Sequence, residues 1–261
     1  MKHIEKRFLE EYSKIEFETK FSKENIVTFE KVGNDLQKKL AKNKHAEGFL
    51  IMESGHYIKS FNHKINGKDY LFPIPDPTLI YFAGAQDKLR LLKENKKQLL
   101  TNLDLNNKTG EEIYTSYYQF YINSCGCIIF LFTTLECFMN YLIPDDKLFE
   151  KKLANKTEIY NKDQIERNIA FWEKINTVIP FFTEQDFIKS HPTFKINLEN
   201  LKNMRDDIIH TKSKENSSTV GNSILKKTLN FNYELAIESV AKYINFYEPD
   251  KIKECPCDAN F

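Results

Sequence analysis

Apolar residues recur at helical spacing along most of this chain, and the intervals where that period fails mark its joints. Ile4, Phe8, Tyr12 and Ile15 return every third or fourth position with charges between them, predicting a first amphipathic helix. A second is predicted over 23–44. From His56 the pattern turns to strand-like density, HYIKSFNHKINGKDYLF, around Asn66-Gly67, the preferred pair for a type I′ turn, so a small β-hairpin is expected. Pro73, Pro75 and Pro77 then enforce extended backbone. The boundary of an N-terminal appendage, residues 1–77, is placed there, and a helical domain follows over 78–261, its core at about 111–249.

Within that domain helices are predicted over 77–102 and 111–142, the second ended by Pro144. Residues 147–162 read as a polar connection, 165–179 as a helix stopped by Pro180, and 181–194 as an aromatic-rich connection whose His191-Pro192 suits a turn with a surface histidine. A helix over 198–212, a flexible loop over 213–222 and a last helix over 231–247 complete the chain. The fold class expected is mainly α, a helical bundle with an N-terminal helical extension and one small hairpin.

Two of these helices carry charges where packing would not choose them. Between Ile113 and Leu135 there is no charged residue, yet Thr115, Ser116, Gln119, Asn123 and Ser124 are too polar for a membrane span, so a buried core helix is expected. Ile128, Phe132, Leu135, Met139 and Leu142 form its apolar face, and Gly126, Thr133, Glu136 and Asn140 a second stripe. In the 198–212 helix, Leu198, Leu201, Arg205, Ile208 and Ile209 share one stripe, and Glu199, Asn203, Asp206 and His210 share the next. Arg205 is therefore expected to aim at the core. A guanidinium there needs an anion, since an unpaired buried charge costs several kcal/mol or more. Glu136 is the expected partner, within salt-bridge reach.

Composition narrows the function. Lys+Arg 38 against Asp+Glu 37 leaves a net charge of +1, which excludes a broad basic field for nucleic acid and confines any such binding to a local groove. Only four of the basic residues are Arg, which makes Arg205 more conspicuous. Five Cys suit neither a disulfide framework nor a full zinc site. Cys125 and Cys137 are expected as small core hydrophobes and Cys255-Pro-Cys257 as a frayed tail, with no metal site and a reducing compartment implied. The acid-containing N-terminus lacks a signal peptide's apolar core, making the cytoplasm the expected location.

Arg205-Asp206-x-x-x-His210, an upstream apolar helix ending LECFMNYLIP with Glu136 and Asn140, and the order helix, variable connection, motif helix, loop, final helix together resemble the HEPN superfamily, the small helical domains of prokaryotic defence and toxin ribonucleases. The likeness covers about 111–249. Thr211 and Lys212 stand where many relatives have a Gly, and the N-terminal region has no counterpart in the family. The resemblance implies metal-independent RNA cleavage without a cofactor. The ribose 2′-OH attacks the adjacent phosphorus, His210 moves protons, Arg205 stabilises the phosphorane and Asp206 orients His210 or the sugar, with Glu136 and Asn140 in support. It further implies a homodimer with motifs face to face, an RNA substrate, and an antitoxin or defence-system partner. Two rivals stand beside it: a non-catalytic module binding RNA, a nucleotide or a partner protein, and a plain helical interaction protein.

Overall fold

The computed structural model describes residues 3–4, 10–11, 26–29, 47–52, 56–104, 108–210 and 217–255. The chain divides into two compact units, one of Met1–Glu5 with Pro77–Phe261 and one of Lys6–Asp76.

The smaller unit is a five-stranded sheet of β1 (Glu10–Glu11), β2 (Ile26–Phe29), β3 (Glu47–Met52), β4 (His56–Ile65) and β5 (Lys68–Pro73), ordered β1-β4-β3-β2, with β5 also pairing β4. The expected hairpin is there: Asn66 and Gly67 both adopt positive φ, +49° and +81°, between β4 and β5. It is one edge of a larger sheet. β3 pairs antiparallel to β4 and parallel to β2. The helices expected over 4–15 and 23–44 are corrected at every described position, which is bridge or strand: Ile4, Glu10–Glu11 and Ile26–Phe29. Ile26, Val27, Thr28 and Phe29 are β-branched or aromatic residues that suit a pleated surface, and their partners at 47–50 are too far along the chain for local periodicity to show. The remainder of those stretches lies outside the described residues.

The larger unit is mainly helical. Its centre is α1 (Pro77–Asp104) against α2 (Gly110–Leu142). Thr109 starts α2 with a capping box, its hydroxyl accepting from the Glu112 N–H while the Glu112 carboxylate accepts from the Thr109 N–H. Leu79, Phe82, Ala85 and Leu89 of α1 are buried with Phe120, Ile128, Leu131, Leu135 and Phe138 of α2. Each of the Leu, Ile and Phe side chains among them contributes about 1.5–3 kcal/mol when fully buried. The helices approach closely at Gly84, where a Cβ would meet the Phe130 ring at 3.0 Å. The polar residues of α2 have work in the same interface: buried Asn123 donates to Asn95 Oδ1 at 2.8 Å and accepts from Lys88 Nζ at 3.2 Å. By length and composition alone α2 is the one helix among the described residues able to cross a membrane, and 56% of its most apolar window is buried within this unit.

Beyond α2 the chain departs from expectation in four places, one of them the 181–194 connection, which is helical over Phe187–Ser190 and again from Pro192. The 147–162 connection contains an antiparallel hairpin, β6 (Phe149–Lys152) and β7 (Thr157–Tyr160), held to the unit by buried Phe149. The 165–179 helix is in fact α3 (Lys162–Asn168), a short α4 (Phe171–Glu173), a π-helical turn over Lys174–Val178 and α5 (Ile179–Thr183), which runs through Pro180. Pro180 has no N–H for the carbonyl four residues back and its ring crowds that carbonyl, so the preceding turn widens to i→i−5 bonding, Ile179 N–H to Lys174 O. After α6 (Phe187–Ser190) and α7 (Pro192–Ile209), α8 (Ser217–Asn230) replaces most of the loop expected over 213–222, of which 213–216 lie outside the described residues. α9 (Tyr233–Tyr247) closes the unit against α2 and α7.

Four single residues also differ. His191 is no surface residue: it stacks on Phe187 at 5.0 Å with Phe246 at its edge. Cys127 is the buried thiol, while Cys125 and Cys137 are half-buried. Cys255 is anchored, its N–H donating to His3 O at 2.8 Å beside the Ile4–Glu254 bridge. Cys257 lies outside the described residues.

Candidate functional site at the end of α7

α7 packs on α2 and α9 through Leu198, Leu201 and Met204, all buried. Leu198 and Leu201 lie on the stripe read from the sequence, but Met204 takes the next core position in place of Arg205. Arg205 consequently stands at the edge of the core, its side chain 26% exposed, and Ile209 is exposed. The guanidinium lies over the Phe132 ring of α2, 4.9 Å from its centroid, and Nη1 donates to Asp206 Oδ1 at 3.0 Å. Phe132 supplies the negative face of its π-system and Asp206 the counter-charge.

The expected Arg205–Glu136 salt bridge is absent. Arg205 sits at the rim, where its neighbour Asp206 can reach it, so it does not need a buried carboxylate. Glu136 nevertheless feels the site. Burial pushes its carboxyl above the usual range, and the charges of Arg205, Lys174 and Lys202 oppose that rise. Asn140, one turn further along α2, accepts from Lys174 Nζ at 3.4 Å. All five predicted residues are therefore on α2 and α7, and Arg205, Asp206 and Glu136 are electrostatically coupled.

Of the two roles expected of Asp206, orienting His210 or the sugar, the first has no side-chain hydrogen bond behind it among the described residues. The carboxylate is taken by Lys202, one turn back, and by Arg205. Partial burial would raise its pKa, but these two cations hold it below the usual range. The link to His210 is through backbone only, His210 N–H donating to Asp206 O at 2.9 Å. His210 is the C-cap of α7, and its imidazole is exposed, with no hydrogen bond to a described residue. Asp206 thus holds the Arg205 guanidinium.

Sequence reasoning missed Lys174. It is a lysine only 6% exposed, projecting from the π-helical turn, its Nζ donating to Glu166 O at 2.9 Å and so satisfying a last-turn carbonyl of α3. Burial lowers its pKa, while Glu136 and Glu166 act to raise it. A carboxyl shifted up beside an amine shifted down is the pattern of groups whose environments push their protonation toward neutral forms. The signal in the sequence was Pro180, six residues on, which forces the turn that carries Lys174. Among the described residues no group of three His, Cys, Asp or Glu is placed to hold a metal ion.

No protein-family model matches the chain, and no curated protein or solved structure matches it.

Proposed function

We propose that the chain is a HEPN-like, metal-independent endoribonuclease that acts as a homodimer in a toxin or antiphage (abortive-infection) system. The observation that carries this reading is the end of α7: an Arg205 fork fixed by Phe132 and Asp206, with an uncommitted, exposed His210 at the C-cap just beyond it. Pre-positioning a guanidinium lowers the entropic cost of holding a phosphoryl oxygen, and its planar donors match the charge that develops on a phosphorane. His210 transfers the proton between the 2′-OH or the leaving 5′-oxygen and solvent. A single histidine serves one half of an acid–base reaction, which supports two motifs facing each other across a dimer. Glu136 and Asn140 act behind Arg205 with Lys174.

A non-catalytic module binding RNA, a nucleotide or a partner through the same face is the second reading, favoured by Asp206 being engaged with cations and not with His210. The test is incubation of the purified protein with varied single-stranded RNAs with and without EDTA, alongside His210→Ala. The enzyme reading expects cleavage that survives EDTA, products ending in a 2′,3′-cyclic phosphate, a dimer by sedimentation, and loss of at least ~100-fold in rate in the variant with unchanged melting. Equal cleavage by the variant, or none by the wild type, transfers the site to the binding reading.

A further inference from the structure

On the other flank of the buried α7 stripe, α7, α8 and α9 enclose a groove of about 440 Å³ that the site above does not use. Its volume falls within the ~300–1,000 Å³ of small-molecule sites. Five of the residues lining it are asparagines: Asn197, Asn200, Asn203, Asn230 and Asn232. Met204, Phe231, Leu235 and Ala236 line it as well.

The hydrogen-bond state of these amides decides what the groove takes. Asn197 donates to Ser239 Oγ, Asn230 donates to Lys226 O, and Asn232 Oδ1 caps α9 by accepting from the Leu235 N–H. Those bonds fix three amides and leave the Oδ1 of Asn197 and Asn230 and the Nδ2 of Asn232 uncommitted. The side chains of Asn200 and Asn203 make no hydrogen bond with a described residue. The charges at the rim cancel, Lys227 Nζ being paired to Asp207. The groove therefore offers paired donors and acceptors without net charge, beside the half-buried Phe231 ring.

Among the described residues lining the groove, a phosphate or a carboxylate would find no free cation, Lys227 being paired. A purely apolar ligand would leave five amides to be desolvated. A planar group carrying adjacent donor and acceptor satisfies both surfaces, because the amides of Asn200 and Asn203 are each such a pair, the other three add single donors or acceptors, and an aromatic face accepts stacking. We propose that this groove seats one unpaired nucleobase, adenine best, since adenine presents a donor–acceptor pair on two of its edges and a large stacking face. At 100° per residue, His210 projects from α7 between Asp206 on one side and Asn203 on the other. A strand with a base in the groove would lead round the end of α7 past His210 toward Arg205. That the base belongs to RNA rests on the ribonuclease reading, whereas the seating of a base does not.

The experiment uses the full chain in a His210→Ala background, so that no probe is consumed. Fluorescence anisotropy with labelled oligoadenylate, oligouridylate and an abasic ribose-phosphate oligomer of equal length is run beside calorimetry with AMP. Oligoadenylate is expected to bind at least about tenfold more tightly than the abasic oligomer. Asn200→Leu/Asn203→Leu, both exposed positions, should weaken AMP and oligoadenylate by about tenfold with melting and the salt dependence of binding unchanged. Equal binding of abasic and base-bearing oligomers, wild-type affinity in the double variant, or displacement of AMP by neutral sugars overturns the proposal. Because binding is read without cleavage, an inactive wild type with intact AMP binding removes the ribonuclease reading and keeps this one.

Discussion

Glu136 offers the sharpest measurement at the scale of one residue. Its carboxyl holds a proton more firmly folded than unfolded, because burial disfavours the charged form. The stability this contributes is fully present below the unfolded value and is lost as pH rises through the folded one. Glu136→Gln cannot lose it. Urea denaturation from about pH 4 to about pH 8 should therefore show the Gln variant gaining on the wild type as pH rises, and a constant difference would mean that Glu136 is solvated. Which side chains meet at this site was only partly legible in the sequence. The i,i+4 pair Lys202–Asp206 follows from helix geometry, but Arg205 with its immediate neighbour Asp206 does not, since adjacent residues on a helix face apart and meet only through a long side chain turning back. Arg205 and His210 were visible because the sequence placed them on one helix. Lys174 was hidden because its one mark, Pro180, lies six residues on and reads as a helix stop.

Among the elements, the long helices were readable from their periods and breakers: α1, α2 and α9 lie within two residues of where hydrophobic spacing and Pro144 put them. β6 and β7 were not, because their Lys- and Glu-rich outer faces look like solvated connection and only Phe149 enters the core. The π-helical turn was read as a stop because a proline more often ends a helix than widens one. The α1–α2 interface can be tested at its narrowest point. Gly84→Leu must displace the Phe130 ring and should cost about 1–3 kcal/mol in urea denaturation, with Gly84→Ala well below that. Equal melting of all three proteins would show that the helices are not in close contact there.

For the molecule as a whole, the mainly helical character was legible and the sheet was not, since β2 pairs in parallel with β3 and β4 collects partners on both edges through contacts remote in sequence. The near-neutral charge supplies no broad basic field, so any nucleic-acid contact has to be local. A different consequence follows from where the first residues lie. Ile4 is 2% exposed in the helical core, its N–H donates to Gln86 Oε1 at 3.3 Å, and it bridges Glu254, so the helical unit opens with residues 1–5, lends the chain to the sheet, and takes it back at Pro77. The sheet is thus a guest within a host. Excising 6–76 and splicing Glu5 to Pro77 through a short Gly-Ser linker should leave a chain that melts cooperatively, whereas truncation to a start at Pro77 should melt at least ~2 kcal/mol less stably, having lost the Ile4 side chain and its β-bridge. If the two shortened chains melt alike, the opening residues are passengers, and the boundary between host and guest has to be redrawn at the prolines.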